Sequence, residues 1–345
     1  METERQSDRF TERPDIAPLS IVGDAGVDLV LGSLEGWPTI GTELLMPRSE
    51  LRAGGSGANS ALAARHIGQR AHLISAVGND QLGHWLAEQF TGLRTSLEIC
   101  DCETTMSVGL MHACGDRNFF TTQGHLQRLS AAHVLEHLPV VGRREREALV
   151  ASPLSSASGG AAVAPIAPIA LFTAPFLLTE LRVGYEALLA EASSRGYQVA
   201  LDTGWPPEGW RDGTLAEVRG WLRHCDHLLI NDLEARSIAA TEDLALALKR
   251  IGAELKPGAS LIVKVGARGA LGLEQDRRVE HAIEPVDIFD TIGAGDAFNA
   301  GYLSARLRAA GMAEALAAGC RTAAAILARF PRKTIRAGEF ADCVA

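Results

Sequence analysis

Asp296 stands in the run DTIGAGDAFNAGYLSA, residues 290–305, directly after Gly295 and three residues after Gly293. A glycine turn that opens into a helix leaves several N–H groups without intrahelical partners, and the positive end of the macrodipole lies there. Such a turn suits phosphate. The amides of Gly293, Ala294, Gly295 and Asp296 are therefore a candidate anion hole. A carboxylate in the same turn repels a bound anion, so plain phosphate binding does not account for Asp296. A hydroxyl that must lose its proton as it attacks phosphorus does account for it, with the amides holding the transferring group. N-capping of the following helix is the structural alternative.

Three further glycine-rich or polar segments follow apolar runs. AGGSGANSALAARHIG, residues 53–68, offers Gly54 and Gly55 for close backbone approach and Asn59 as donor and acceptor. Taken alone it reads equally well as a tight strand–helix turn, as does AVGNDQLG, residues 76–83. INDLEA, residues 230–235, places Asn231 and Glu234 three apart, just beyond the end of an apolar run. Open parallel sheets bind ligands at that edge, and Mg²⁺ takes oxygen ligands, often through water. Asn with Glu at i+3 is also a helix capping box. VKVGARGALG, residues 263–272, puts Lys264 beside the Gly266 and Gly269 loop, with room for nucleotide phosphates or ribose. No GxxxxGK[ST] loop occurs, and IVGDAGVD stands where a dinucleotide fingerprint would follow the first strand.

Elements must bring these segments together. Leu19–Val22, His72–Val77, Ile169–Thr173, Val199–Leu201, Leu228–Ile230 and Leu261–Val265 read as buried strands. Leu244, Leu248, Ile251 and Leu255 predict a helix capped by Thr241. Leu181, Tyr185, Leu188 and Ala192 predict another, closed by Gly196, and Leu82, Leu86 and Leu93 a third. Strand–helix alternation predicts an α/β fold with a mostly parallel sheet and helices on both faces. Residues 28–51 and 97–126 break the rhythm with extended pieces, including 107–113 and 117–122, and predict a small β-sheet beside the core.

Composition narrows the classes. The chain has 345 residues, 47% hydrophobic and 22% charged, with a formal net charge of −9, which argues against a generic grip on nucleic acid. Six scattered cysteines suit free thiols in a reducing cytoplasm, and the Cys100/Cys102 pair lacks the second pair of a metal site. Residues 1–18 read as a loose polar tail without the apolar core of a signal peptide. Residues 161–178 are mostly apolar, but Pro165, Pro168 and Pro175 argue against a membrane helix and for a loop.

In the order VGDAGVD, GGSGAN, VGNDQLG, NDLE, VKVGARGA, DTIGAGDAFNAG, the chain resembles the ribokinase-like carbohydrate kinases, the PfkB group, from about residue 19 to 330. The resemblance implies a three-layer α/β/α core with a β lid, residues 19–345 forming the kinase domain. It implies transfer of the ATP γ-phosphoryl group to an alcohol, with Asp296 as general base. It also implies Asn231 and Glu234 placing Mg²⁺, and Lys264, Gly266 and Gly269 contacting the nucleotide. Asp28, Gly54, Gly55 and Asn59 would hold sugar hydroxyls, with Asp24 as a second candidate. Asp290 would border a monovalent cation site for K⁺, and the lid, residues 28–51 and 97–126, would serve a homodimer. The segment 140–168 would be an insertion. Ser56 stands where ribokinases carry Lys, and the sequence from Gly54 to Asn59 holds no cation, so an unphosphorylated sugar or sugar acid is the expected acceptor. The alternatives are a nucleoside kinase of the same fold, which needs apolar stacking walls, a sugar sensor without need of a base, and an oxidoreductase using Gly266, Gly269 and Gly272.

Overall fold

Apolar residues at successive positions of each central strand fall into two separate cores. Leu73, Leu171, Ala200, Leu229 and Ile262 pack on one face of the main sheet; their neighbours Ile74, Phe172, Leu201, Leu228 and Val263 pack on the other. A pleated strand points successive side chains to opposite faces, so continuous apolar runs fit a sheet covered on both sides. The computed structural model describes residues 16–113, 117–142, 167–275, 277–283 and 291–327.

The strands are β1 (Leu19–Val22), β2 (Gly26–Leu34), β3 (Arg48–Gly54), β4 (Ala71–Gly78), β5 (Arg94–Cys100), β6 (Met106–His112), β7 (Arg117–Thr121), β8 (Ile169–Thr173), β9 (Gln198–Asp202), β10 (His227–Asn231), β11 (Ser260–Lys264), β12 (Ala270–Glu274) and β13 (Arg277–His281). The helices are α1 (Ser56–His66), α2 (Gln81–Gln89), α3 (Ala131–His137), α4 (Thr179–Arg182), α5 (Tyr185–Ser194), α6 (Asp212–Leu222), α7 (Asp232–Ile238), α8 (Leu244–Glu254), α9 (Ala294–Arg306) and α10 (Met312–Leu327). Nine strands form the main sheet in the order β13-β12-β11-β10-β9-β8-β1-β4-β5, with β12 and β13 antiparallel at one edge. The other neighbours pair in parallel. Helices α1, α2, α9 and α10 contribute buried residues to one face, and α3 to α8 to the other. The expected α/β architecture is thus present.

A second sheet of four strands, β3-β2-β6-β7, forms beside it. Residues 97–100, read from the sequence with this small sheet, instead end β5 on the main sheet, parallel to β4. Within the predicted tail, Ile16 and Ala17 are buried and Pro18 O accepts from Ile169 N at 2.9 Å; the rest of it lies outside the described residues. So does most of the 140–168 segment, while Val141 N bonds Arg195 O at 2.8 Å. No helix among the described residues is long and apolar enough to cross a membrane.

Three local readings differ. Asp243, not Thr241, caps α8, its Oδ1 accepting from Ala245 N at 2.8 Å; the hydroxyl of Thr241 accepts from Asp243 N instead. The helix expected across Leu181 to Ala192 is split at Val183–Gly184 into α4 and α5, although Gly196 closes it with φ 95° as expected. Helix α2 stops before Leu93, which lies beyond the turn at Thr91.

Gly301 sets how closely α9 and α10 approach. A Cβ there would meet Thr322 Oγ1 and lie 2.6 Å from the Ala318 backbone oxygen. Gly301→Ala is expected to lower stability by about 1–3 kcal/mol, the usual cost of overpacking, in spite of the better helix propensity of alanine. Urea unfolding measures it, and a stabilised variant would refute this packing.

Candidate active site

Parallel register lines up the last residues of the central strands. Thr173 of β8 faces Asp202 of β9, and Asn231 of β10 faces Lys264 of β11. All lie at the carboxyl edge, where open α/β sheets bind ligands. Lys264 Nζ donates to Asp202 Oδ2 at 2.7 Å and to Asn299 Oδ1 at 3.3 Å. Asn299 Nδ2 donates to the same Asp202 oxygen at 2.6 Å, so the aspartate holds both partners. Asn299 is fully buried on α9, one turn beyond Asp296 and on the same side of the helix.

The entry to α9 is a glycine turn, as the sequence led one to expect. Gly293 has φ 75°, a left-handed conformation that glycine adopts without strain, and no side chain caps the helix. Ala297 N donates to Gly293 O at 2.9 Å, so the amides of Gly295 and Asp296 precede the first such bond of the helix. The amide of Ala294 points instead to Thr291 O at 3.4 Å. A Cβ on residue 295 would lie 3.5 Å from Lys264 Nζ, which puts the ammonium beside the turn.

Asp296 does not cap this helix. Its Oδ2 accepts from Asn59 Nδ2 at 3.0 Å, and its backbone oxygen accepts from Ser60 Oγ at 3.3 Å. Burial is the main reason its carboxyl is raised to about 8, and the Asp202 charge adds to it; Asn59 and Lys264 pull the other way. Burial pulls the Lys264 ammonium down, but the Asp202 and Glu234 carboxylates outweigh it and leave it above its ordinary value.

The other predicted residues fall into two groups. Asp28 is buried over Gly54, where any Cβ would run into its carboxyl group. It also faces Arg52 in the β2–β3 register. Asp24 is buried, and its Oδ1 accepts from Gly57 N at 3.0 Å, closing the start of α1. Burial raises the Asp24 carboxyl against the pull of those amide bonds. Gly55, with φ 93°, lets the chain turn there, since a Cβ would lie 2.7 Å from Asp24 O.

Asn231 and Glu234 make the capping box: Asn231 Oδ1 accepts from Glu234 N and Glu234 Oε2 from Asn231 N, each at 2.8 Å. Burial, then Asp202, raises the Glu234 carboxyl. Among the described residues no group of three or more His, Cys, Asp or Glu is arranged to hold a metal ion, and Asp290 lies outside them. Gly266 opens a short 3₁₀ turn beyond β11; Gly269 closes it at φ 96°, where a Cβ would meet His281 O. Gly269 is thus demanded by packing, whatever else the loop does.

The small sheet reaches the turn before α9. Val30 of β2 and Met111 of β6 pack on Ile292 in the turn before α9. Arg117 of β7 donates from Nη1 to Thr291 Oγ1 at 2.5 Å. At the root of the sheet, buried His125 accepts from Thr105 N at 2.9 Å through Nδ1 and donates to Ala25 O at 2.8 Å through Nε2. Burial holds this histidine's pKa low, which suits the neutral ring that the two bonds require. Asp80 ties the same root, accepting from Gly83 N at 2.7 Å and Thr104 N at 2.8 Å.

Sequence reasoning missed Asp202 and Asn299. Asp202 ends the run QVALD as Asn231 ends HLLIN, so its position at a strand's carboxyl end was a signal. Asn299 lies three residues after Asp296, and helical spacing was the signal there.

A family model described as pfkB family carbohydrate kinase matches residues 19–330. A fructokinase from Salmonella typhimurium is 27% identical over 307 residues, covering 86% of each chain. Among solved structures, Arabidopsis thaliana ribokinase complexed with ribose and ATP superposes with a TM-score of 0.69 at 18% identity, over 95% of this chain and 98% of that one. Adenosine kinase from Sinorhizobium meliloti gives 0.72 at 19% identity, over 95% and 99%. At these identities the two structures speak for the fold alone.

Lys264→Met leaves the Asp202 carboxylate buried without its cation and is expected to cost about 3–5 kcal/mol of stability. Adding Asp202→Asn removes the stranded charge and recovers most of that loss. Urea titration of the single and double variants checks both; a double variant no better than the single would sink the pairing argument.

Proposed function

Because the chain belongs to the pfkB family of carbohydrate kinases, we propose that it transfers the γ-phosphoryl group of ATP to a hydroxyl of an unphosphorylated sugar or sugar acid, with Asp296 as general base. The observation that carries this reading is a half-buried carboxylate in the first turn of α9, beside open amides and the Lys264 ammonium. Asp296 takes the hydroxyl proton as the oxygen bonds to the γ-phosphorus, and the bond to the β-phosphate oxygen breaks to release ADP. The Gly295 and Asp296 amides and Lys264 meet the charge on the transferring oxygens.

Asn59, held on Asp296 Oδ2, orients the carboxylate toward the acceptor. Asp28, Gly54 and Gly55 form the acceptor's bed, and Gly266 and Gly269 border the nucleotide. Magnesium fits through water rather than directly: one oxygen each of Asn231 and Glu234 serves the capping box, which leaves Glu234 Oε1 to accept from a hydrated ion. Bound there, the ion would neutralise nucleotide phosphate charge. Trp37, Ile40, Phe119 and Phe120 are exposed on or beside the small sheet and support a homodimer through it. The free thiols of Cys100, Cys102, Cys225 and Cys320 support a reducing compartment.

Asp24 and Asp28 make the acceptor bed acidic, which disfavours a phosphorylated sugar. Arg52 and Arg117 stand at its margin and suit the single charge of a sugar acid.

Asp296→Asn is expected to fold and bind ATP while kcat falls roughly 10²–10⁴-fold, the usual worth of a general base. The base must be ionised, so wild-type kcat/KM for the acceptor should fall as pH drops through about 8, the value burial gives this carboxyl. A variant with near wild-type turnover would remove Asp296 from the role.

Acceptor choice is read from ADP release with sugars, sugar acids, sugar phosphates and nucleosides, in wild type and Arg117→Ala. A free sugar or sugar acid should give the highest kcat/KM. A preference for the phosphate that the Arg117 variant loses, or a nucleoside as best substrate, would overturn this choice.

A further inference from the structure

The pleat of the small sheet sorts its side chains by face, because residues in register share a face and successive residues alternate. Val30, Gly109 and Phe119 stand side by side across β2, β6 and β7. The next row on the same face is Gly32, Met111 and Arg117. Val30 and Met111 pack on Ile292, and Arg117 bonds Thr291, so this face is turned toward the turn before α9. On the other side of the Phe119 row come Asp28, Ser107 and Thr121. Phe120 points the opposite way, and Trp37 packs edge-on against it there at 6.2 Å. Both rings of β7 are exposed, but to different surroundings.

Gly109 is fitted to Phe119. Its φ is not positive, so the backbone does not demand glycine there. A Cβ on it would lie 2.9 Å from Phe119 Cε1 and 3.4 Å from Cδ1, so the missing side chain is what lets the ring approach the strand. The ring still stands 42% exposed. Beside it runs a polar row, in which Ser107 Oγ and Thr121 Oγ1 share a hydrogen bond of 2.8 Å and the buried Asp28 stands at the end. An apolar surface bordered by a polar row fits a molecule with a C–H face and a hydroxyl edge.

We propose that Phe119 determines the form of the acceptor: the C–H face of a cyclic sugar stacks on its ring, with the sugar's hydroxyls toward Asp28, Ser107 and Thr121. The inference rests on the phosphoryl transfer proposed above and narrows its acceptor to a sugar ring. A sugar ring carries several C–H bonds on one side, and the negative face of an aromatic ring attracts them. An open-chain sugar acid has no such fixed face. A nucleobase is best held between two apolar walls, and Phe119 is the one aromatic side chain in these rows, while Val30 and Met111 are already covered by Ile292.

ADP release gives kcat and the KM values for acceptor and ATP in wild type, Phe119→Ala, Phe119→Tyr, Phe120→Ala, Gly109→Ala and the double variant Gly109→Ala/Phe119→Ala. The acceptor is the compound with the highest kcat/KM in the screen of sugars, sugar acids, sugar phosphates and nucleosides. Phe119→Ala is expected to raise the acceptor KM about tenfold and to leave the ATP KM within about twofold. Phe119→Tyr keeps the ring and should retain the wild-type value. Gly109→Ala displaces the ring and should raise the acceptor KM, yet add nothing once residue 119 is alanine. An unchanged acceptor KM in Phe119→Ala overturns the stacking, as does an equal rise in Phe120→Ala or an additive double variant. The ring form is tested with the anhydroalditol of that sugar, its ring locked, against the open-chain alditol. Tighter binding of the locked ring, with the preference lost in Phe119→Ala, is expected. Equal binding of the two, or an open-chain sugar acid or a nucleoside as best acceptor, overturns the ring form. If no acceptor draws ADP release from wild type, the kinase reading falls and this inference with it; turnover of a sugar that Phe119→Ala leaves untouched removes the stacking alone.

Discussion

The Lys264–Asp202 pair is the interaction on which the site depends. Asp24, Asp202, Glu234 and Asp296 act on one another or on Lys264 across a small, largely buried volume. Without the ammonium among them, some would have to be neutral or expelled. The pair is also architectural. Lys264 ends β11, Asp202 ends β9, and Asn299 of α9 binds both, so three elements are fixed by one polar junction. A buried ion pair adds little net stability over apolar packing. Its presence here is better understood as placement of charge: the ammonium is held beside the amides of the α9 turn while its own partner tethers it.

Much of the core was legible because parallel strands covered on both faces leave a plain mark. LSIV, IALFT and HLLIN are apolar but for Ser20 and residues at the ends of the runs, and each became a central strand. Asp296 was legible as a special position for a related reason, since a carboxylate inside a phosphate-type turn conflicts with the simplest use of that turn. Asp202 and Asn299 were not. Neither conflicts locally with anything, and their roles exist only when two strands and a helix meet. The Asn231–Glu234 spacing carried two meanings, and the capping box is present while leaving one oxygen of Glu234 for other work. The split between α4 and α5 was hidden because the apolar spacing of Leu181, Tyr185 and Leu188 continues across Gly184.

Of the four short links that join the small sheet to the core, two lie after β3 and after β7 and two lie before β2 and before β6. His125 bridges the last two by bonding Ala25 O and Thr105 N, and Asp80 holds Thr104 from the α2 side. This clamp fixes the root of the sheet against the core. The Asp28–Gly54 contact lies within the β2–β3 ladder itself, whereas Asp24 is bonded to the start of α1. The two carboxylates proposed for the acceptor are thus divided between the small sheet and the core.

The bond between Asn59 and Asp296 joins residues 237 positions apart. Pairings of such long range are slow to form, because the chain between them must first be ordered. During synthesis the amino-terminal segments of the site therefore wait for the glycine turn and α9. A chain shortened before α9 lacks both the carboxylate that Asn59 holds and the amides of the glycine turn.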